Sequence, residues 1–279
     1  MHFPPSILII GAVSLDVIHL PNGPKLLPAS LSTAGGAAMY TALAAHKAGA
    51  KITLLAVRPT PMLDALQPVA ARVNWLGPEI LPDQIPKLEI AHYGGGNAKL
   101  LHASWGAEPL LTPDFLPQSL AEFDLVHIAA LSNAARQREF LDACRARNAK
   151  FISVGVYARV VYGETETVRG LHRDADLFFM NENEARGLFG SVEAAYTAAG
   201  KWLFVTLGER GVNVHIGPAA PVHVPALPVT EFDPTGAGDT FCGTTLTHWL
   251  SGASPVEAAR AGCAASAAEI QMAGPEWLL

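Results

Sequence analysis

The feature that most constrains the fold is an alternation between short, continuously apolar segments and alanine-rich segments with helical spacing. The apolar segments are rich in β-branched residues, and a continuous apolar run is typical of a strand that is covered on both faces. In chain order they are SILIIGAV (6–13), KITLLAV (51–57), DLVHIAA (124–130), KFISVGV (150–156), DLFFM (176–180), WLFVTL (202–207) and VNVHI (212–216). Helices are predicted between them at 35–49, 132–147 and 183–189. The alternation predicts an α/β fold with a doubly wound, mostly parallel sheet flanked by helices.

Two segments do not follow this alternation. Residues 17–34 are rich in Pro and Gly, and residues 86–106 look like two strands joined by a glycine turn. We place both segments in a small β-sheet appended to the main one. Since the sequence has neither a low-complexity linker nor an internal repeat, we predict that residues 1–279 form one domain.

The charge balance limits the class of partner. The chain has 19 Lys and Arg against 25 Asp and Glu, a formal net charge of -6. Such a chain has no excess of basic residues to neutralise nucleic acid or an anionic membrane, so a small-molecule partner is favoured. The start, MHFPPSILIIGAV, lacks the basic region of a signal peptide, and no apolar run is long enough to span a bilayer. We therefore expect a cytoplasmic protein.

Several catalytic and metal-binding classes lack their sequence signatures. The cysteines, Cys144, Cys242 and Cys263, are odd in number and widely spaced in apolar contexts, so we expect small buried thiols rather than disulfides or a zinc site. The sequence contains no HExxH, no G-x-S-x-G and no GxxxxGK[ST] motif. Metal-dependent hydrolysis, acyl transfer and P-loop nucleotide binding are excluded on these grounds.

The stretch DPTGAGDTFCG at 233–243 is the strongest candidate for chemistry. Its glycines allow a tight turn, and from about Asp239 the residues have helical spacing. The first N–H groups of a helix lack internal partners and can hold an anion such as a phosphate. An aspartate there can accept the proton of a hydroxyl that attacks the phosphorus. On this stretch alone, the alternative that Asp239 only caps the helix has equal weight.

The stretch resembles the D-x-x-G-A-G-D signature of the ribokinase family, also called the PfkB carbohydrate kinases. Further segments match the family in the same order: GAVSLD (11–16), STAGGAAMYTALAAHKAGA (32–50), NENE (181–184) and VTLGERG (205–211). The resemblance covers most of residues 7–273. It implies a ribokinase-like fold with a small β lid, formed by residues of about 17–34 and 86–106.

The resemblance implies an ATP-dependent kinase that transfers the γ-phosphoryl group to a hydroxyl of a small sugar, cyclitol or nucleoside. It gives Asp239 the role of catalytic base and Gly236, Ala237 and Gly238 that of the anion hole. Three further groups of residues follow from it: Thr206, Gly208 and Gly211 for the nucleotide; Asp16, Gly35, Gly36 and Tyr40 for the acceptor; and Asn181 and Glu184 for Mg²⁺, held through water. Asp233 and Thr235 match a monovalent-cation site, with K⁺ as the candidate ion, and relatives suggest a homodimer through the lid.

Each assignment has a structural alternative. NENE at 181–184 could simply cap the helix after DLFFM. The turn at 206–211 could be an ordinary hairpin, and Asp16 could be a solvated carboxylate at the end of a strand. A protein that kept the fold and lost turnover, and that binds a nucleotide or sugar as a regulator, is the alternative function.

The chain departs from the family pattern near the acceptor. Tyr40 stands where many relatives have an asparagine that binds sugar hydroxyls. If Tyr40 lines the site, an aromatic wall disfavours ribose. With equal weight, Tyr40 faces the core between helix and sheet, beside the apolar Met39 and Leu43. His92, in the lid, is expected at the surface and is given no role.

Overall fold

A nine-stranded sheet forms the centre of the computed structural model, which describes residues 3–19, 30–94 and 97–279. In chain order the strands of this part of the chain are β1 (Ser6–Ile10), β2 (Ser14–His19), β3 (Ser30–Gly35), β4 (Lys51–Leu55), β5 (Arg58–Pro59), β6 (Asn74–Leu76), β7 (Glu79–Ile80), β8 (Lys87–Gly94), β9 (Asn97–Ser104), β10 (Leu125–Ile128), β11 (Ile152–Gly155), β12 (Leu177–Asn181), β13 (Trp202–Thr206), β14 (Val212–Ile216) and β15 (Val222–Val224). The helices are α1 (Ala37–Lys47), α2 (Gln67–Ala70), α3 (Ala134–Ala146), α4 (Ala158–Gly163), α5 (Thr165–Asp174), α6 (Glu182–Phe189), α7 (Ala237–Leu250) and α8 (Pro255–Glu269).

The main sheet has the strand order β15-β14-β13-β12-β11-β10-β1-β4-β6. The pairings from β6 through β13 are parallel, and β14 and β15 add an antiparallel edge. All seven strands predicted from continuous apolar segments lie in this sheet. Chain order reverses at β1, because β4 follows on one side and β10 on the other. The predicted doubly wound, mostly parallel sheet is confirmed, with its switch point between β1 and β10.

Two groups of helices flank the sheet. α1, α7 and α8 pack together, and α3, α4, α5 and α6 form the other group. Crossovers that run in opposite directions along a parallel sheet cover opposite faces. The central strand is therefore closed on both sides, and Ile7, Leu8, Ile9 and Ile10 are all fully buried. This burial explains why β1 is continuously apolar.

One helix–helix contact depends on a glycine inside α7. A Cβ at Gly243 would lie 2.2 Å from the carbonyl oxygen of Thr41 and 3.0 Å from the amide nitrogen of Ala45. Both atoms belong to the backbone of α1, which cannot move aside cheaply. Gly243 therefore sets how closely α7 approaches α1.

A second sheet of four strands, called the lid below, has the order β3-β2-β8-β9. β2 pairs with β3 antiparallel and with β8 parallel, and β8 pairs with β9 antiparallel. The predicted small sheet is present, and it begins at Ser14, three residues before the predicted boundary. Residues 20–29 of the predicted lid, and residues 95 and 96 of its glycine turn, lie outside the described residues.

Cys144, Cys242 and Cys263 are free and buried, as expected. Among the described residues, no helix combines the length and the hydropathy needed to cross a bilayer.

Candidate active site

The turn at 233–239 leads directly into α7, which begins at Ala237, two residues before the predicted start. Gly236 is the N-cap and has a φ of 82°, in the left-handed region that favours glycine. A Cβ at this position would lie 2.3 Å from Cδ1 of Tyr40. Both the backbone conformation and the Tyr40 ring thus require glycine. Because Gly236 occupies the N-cap, Asp239 is not the helix cap that the alternative interpretation predicted.

The N-terminal turn of α7 presents backbone donors to an open space. The hydrogen bond from Thr240 N to Gly236 O, at 2.8 Å, starts the helical ladder, so the N–H groups of Gly238 and Asp239 precede it. The N–H of Ala237 donates to Pro234 O over a longer 3.3 Å. A Cβ at Gly238 would meet no atom within 4 Å. The turn therefore has both the donors and the room that an anion requires.

Asp239 follows these donors in the first turn of α7. Its side chain is half-buried, and desolvation by the surrounding protein raises its pKa from 3.8 to about 7. A carboxyl group with this pKa exchanges its proton near neutral pH. That is the property required of a general base.

Asp16 lies in the middle of β2, where it is 2 % exposed. Ser14 Oγ donates to its Oδ1 at 2.6 Å, and the backbone N–H of Gly36 also donates to it. Desolvation outweighs these donors and raises its pKa to about 6. A Cβ at Gly35 would lie 1.9 Å from Oδ2 of Asp16, so the glycine pair makes room for this carboxylate. Asp16 is not the solvated group at a strand end that the alternative predicted.

Asn181 and Glu184 form a reciprocal cap at the start of α6. Asn181 Oδ1 accepts from Glu184 N at 3.0 Å, and Glu184 Oε2 accepts from Asn181 N at 2.8 Å. Asn181 Nδ2 donates to the other carboxylate oxygen, also at 2.8 Å. Burial, opposed by these donors and reinforced by the charge of Asp239, raises the pKa of Glu184 to about 8. The cap that the alternative predicted is therefore present, and a role of Asn181 and Glu184 in holding Mg²⁺ stays a prediction.

Thr206 and the two glycines after it lie beside this cap. β12 and β13 run parallel with Asn181 paired to Thr206, so both residues stand at the carboxyl ends of neighbouring strands. Gly208 and Gly211 have φ values of 61° and 99°. A Cβ at Gly208 would meet no atom within 4 Å, whereas one at Gly211 would lie 2.1 Å from Val224 O. Gly208 is open to a ligand, and Gly211 serves the turn into β14.

The model of the pfkB family carbohydrate kinases matches residues 5–276. The chain belongs to the pfkB family of carbohydrate kinases. It is therefore a phosphotransferase that uses a hydroxyl group as acceptor, and the resemblance drawn from the sequence is confirmed.

Individual members of the pfkB family align over nearly the whole chain. A cytidine kinase from Thermococcus kodakarensis is 25% identical over 266 residues, which are 92% of either chain. The crystal structure of adenosine kinase from Sinorhizobium meliloti superposes with a TM-score of 0.79 at 18% identity, covering 98% of this chain and 96% of the other. Ribokinase from Cryptococcus neoformans, in complex with ADP, gives 0.78 at 18% identity, with 98% and 95% covered. These solved structures show that the fold is that of the ribokinase-like kinases.

In this pfkB member the Tyr40 side chain is buried. It is 1% exposed, and its ring packs on Gly236. Its hydroxyl has no hydrogen-bond partner in the described part of the chain. Burial, together with the charges of Glu269 and Asp233, raises its pKa well above 10. The packing interpretation of Tyr40 agrees with this position, and a contact with the acceptor stays a prediction.

His92 is not at the surface, contrary to the sequence-based expectation. It is 5% exposed, and its Nε2 lies 2.8 Å from Oγ1 of Thr235 and 3.6 Å from Oδ1 of Asp233. Burial lowers its pKa below the usual 6.5, although Asp233 and Glu231 act in the opposite direction. A lone histidine in a lid strand gives no local signal of a contact 143 residues away.

Asp233 holds the turn to the segment after α8. Its Oδ1 accepts from Thr235 N at 3.0 Å, and its Oδ2 accepts from Gly274 N at 2.8 Å. The backbone N–H groups of Phe232 and Asp233 both donate to Ile270 O. Asp233 and Thr235, predicted for a monovalent cation, are thus brought together.

Glu269, at the end of α8, was missed by the sequence analysis. It is 0% exposed, and neither carboxylate oxygen has a hydrogen-bond partner within the described residues. Burial, with the charges of Asp233 and Asp239, raises its pKa to about 9. The available signal was a single acidic residue in the alanine-rich segment AGCAASAAEI.

Two further features bound the site. A cavity of about 560 Å³ opens beside the turn and is lined by Leu31, Thr33, Phe232, Gln271, Met272, Ala273, Pro275, Glu276 and Leu279. It does not include residues 236–239, so it is adjacent to the candidate anion hole rather than part of it.

Across residues 3–19, 30–94 and 97–279, no cluster of three or more His, Cys, Asp or Glu side chains is arranged to hold a metal ion.

Proposed function

We propose that the protein is an ATP-dependent kinase that transfers the γ-phosphoryl group to a hydroxyl of a small sugar, cyclitol or nucleoside. The observation that carries this proposal is Asp239, a carboxyl group with a pKa of about 7 directly behind the open N-terminus of α7. The ribokinase from Cryptococcus neoformans, which shares the fold, was solved with ADP. Nucleotide use by this chain is part of the proposal.

In this proposal, Asp239 accepts the proton of the acceptor hydroxyl as its oxygen attacks the γ-phosphorus. The N–H groups of Gly238 and Asp239 donate to the phosphoryl oxygens, where negative charge is concentrated. Both roles use groups within one helical turn. The reaction moves one phosphoryl group to the acceptor and one proton to Asp239, and leaves ADP.

The residues predicted to bind the nucleotide and Mg²⁺ have chemical groups that suit these roles. Thr206 and Gly208 stand beside Asn181 at the sheet edge, and the space at Gly208 is open. Both oxygens of Glu184 accept hydrogen bonds from Asn181, which suits contact with Mg²⁺ through water rather than direct ligation. When bound, Mg²⁺ neutralises charge on the phosphates. For Asp233 and Thr235, we propose contact with a monovalent cation such as K⁺.

The acceptor is proposed to lie between Asp16 and the turn. Residue pairing places the Asp16 carboxylate on one face of the lid. Beside it on that face lie four apolar side chains and the hydroxyl of Thr33; the apolar ones are Ile18, Leu31, Leu88 and Ile90. Such a face suits a ligand with a hydroxyl group and a flat, weakly polar ring. Together with the cytidine kinase relative, it makes nucleosides the first class to test.

The decisive experiment is an ADP-release assay with ATP, Mg²⁺ and a panel of pentoses, hexoses, cyclitols and nucleosides, including cytidine and ribose. We expect turnover with at least one acceptor, and a higher kcat/KM for a nucleoside than for ribose. Asp239→Asn is the control, since it should still bind ATP, measured by calorimetry. ATP binding without turnover on any acceptor would favour a regulatory binding protein and refute the proposal.

We also propose that two copies of the chain pair through the lid. β9 is the outer strand of the lid, and its Leu100 and Leu101 are 40% and 47% exposed. An exposed edge strand with apolar side chains can pair with another strand. Sedimentation equilibrium should show a dimer, and Leu101→Lys should shift it toward the monomer.

A further inference from the structure

The lid touches the turn at 233–239 through the buried side chain of His92. His92 lies near the end of β8, and at 5% exposed it contrasts with its neighbour Tyr93 at 63%. Its Nε2 and Thr235 Oγ1 are 2.8 Å apart, a hydrogen bond in which either group donates, depending on the tautomer of the imidazole. Asp233 Oδ1 lies 3.6 Å from the same nitrogen. A lid side chain thus inserts into the turn that precedes α7.

The contact of His92 with Thr235 lies directly before the candidate anion hole at 236–238. Asp233 is held by the segment after α8: its carboxylate accepts from Gly274 N, and its backbone N–H donates to Ile270 O. Thr235 comes directly before Gly236, whose left-handed backbone starts α7. The orientation of Thr235 therefore sets the direction from which the N–H groups of Gly238 and Asp239 are presented.

His92 and Asp16, the residue proposed to bind the acceptor, lie on the same face of the lid. β2 and β8 are paired with Asp16 opposite Leu88 and Ile18 opposite Ile90, and alternation along β8 places His92 on that face. The same sheet thus carries the Asp16 carboxylate, proposed to contact the acceptor, and the His92 imidazole, which lies against Thr235. A displacement of the lid changes both positions together.

We propose that His92 is a positioning residue that couples the placement of the lid to the orientation of the anion-hole turn through Thr235. This inference rests on the proposed function for its effect on catalysis. The contact itself concerns two residues of this chain and can be tested without turnover.

The kinetic test is a double-mutant cycle between the two partners. His92→Leu removes the ring nitrogen, and Thr235→Val removes the hydroxyl with little change of shape. Each should lower kcat about 2- to 12-fold, the range expected for one hydrogen bond between neutral groups. The double variant should be no slower than the slower single variant, because the same contact is lost only once. The KM for the acceptor should change less than kcat.

Two further variants separate positioning from general stability. His92→Gln keeps a polar terminal group of similar reach and should recover most of the lost kcat. His102→Gln, on the exposed side of the neighbouring strand β9, is the matched control and should behave as the wild type. If His92→Leu does not fold, the cycle is completed with His92→Gln and Thr235→Val. Melting temperatures are measured for every variant.

Hydrogen–deuterium exchange of ligand-free protein provides the readout that does not require activity. Exchange in the segment 233–239 should be faster in His92→Leu and in Thr235→Val by about the same 2- to 12-fold, because opening of the turn costs less. If the wild type phosphorylates nothing, this result still decides the contact, so the two proposals fail separately. Additive kinetic losses, or unchanged exchange in this segment, would overturn the coupling.

Discussion

To act as the general base, the Asp239 carboxyl group must be ionised before the acceptor hydroxyl gives up its proton. Since burial raises its pKa to about 7, the base is mostly protonated at pH 6 and mostly ionised at pH 8. We expect kcat to rise with pH through about 7 and then to level off. Asp239→Asn should lose about 10²- to 10⁴-fold in kcat and show no such rise. A pH-independent kcat between 5.5 and 8.5 in the wild type would contradict the role.

Single residues were predictable from sequence only where a local motif names them. The turn at 236–239 and the cap at 181–184 are short, contiguous patterns. In the structure the turn begins α7, and the cap begins α6 at the carboxyl end of β12. His92 and Glu269 could not be predicted, because their surroundings come from segments distant in the chain. Asp16 was singled out by its motif, and its contact with the acceptor stays a prediction. Its burial was not predictable, because that depends on Gly35 and on pairing within the lid.

At the scale of elements, α6 begins with a cap that carries a second, proposed role in metal binding. Glu184→Gln keeps one oxygen that can accept from Asn181 N, so α6 should keep its cap. Its new amide group faces the donor Asn181 Nδ2, so one hydrogen bond is lost and the melting temperature should fall modestly. The variant cannot ionise, whereas a hydrated Mg²⁺ would favour the ionised form of Glu184. We therefore expect a higher Mg²⁺ concentration at half-maximal activity and a lower kcat. An unchanged Mg²⁺ titration would restrict Glu184 to the cap.

Two helix glycines should respond to alanine in opposite directions. In α5, a Cβ at Gly170 would meet only Arg138 Nη1 at 3.8 Å, so Gly170→Ala should stabilise the protein by about 0.5–1 kcal/mol. In α7, Gly243→Ala would press on the backbone of α1 and should destabilise it by about 1–3 kcal/mol. Urea unfolding of both variants measures the difference. Equal effects would mean that α1 and α7 are not held this closely.

The predicted strands of the main sheet share one property, a continuous apolar run. Strands such as β1 and β13 are buried on both faces and needed no further information. β5, β7 and β15 are two or three residues long and carry no pattern of their own. α8 was not predicted, since nearly uniform alanine gives little contrast between its faces. Its capping box, Ser254 with Glu257, and Pro255 at its start were the usable signals.

For the whole molecule, buried carboxyl groups make stability fall as pH rises. The pKa of Glu269 is about 9 in the folded protein and near 4.5 when unfolded, so between these values the folded state holds one more proton. The free energy of unfolding therefore decreases with pH in this window, by up to about 1.4 kcal/mol per unit for one proton. Glu184, Asp239 and Asp16 act in the same direction.

Glu269→Gln isolates the largest of these contributions. It keeps a neutral side chain of the same shape, so its melting temperature relative to the wild type should increase steadily from pH 5 to pH 8.5. Glu139→Gln, on an exposed position of α3, is the charge-matched control. A constant difference between Glu269→Gln and the wild type across this range would show that Glu269 is not held neutral.

The close packing of α7 on α1 also has a consequence for synthesis on the ribosome. α1 ends at Lys47 and α7 begins at Ala237, so at roughly 5–20 residues per second the covering helix follows about 10–40 s later. Until then, the apolar face of α1, with Tyr40, has no partner from α7. The nascent chain is thus expected to be a client of ribosome-associated chaperones, and its yield in cells should depend on them more than the stability of the finished protein suggests.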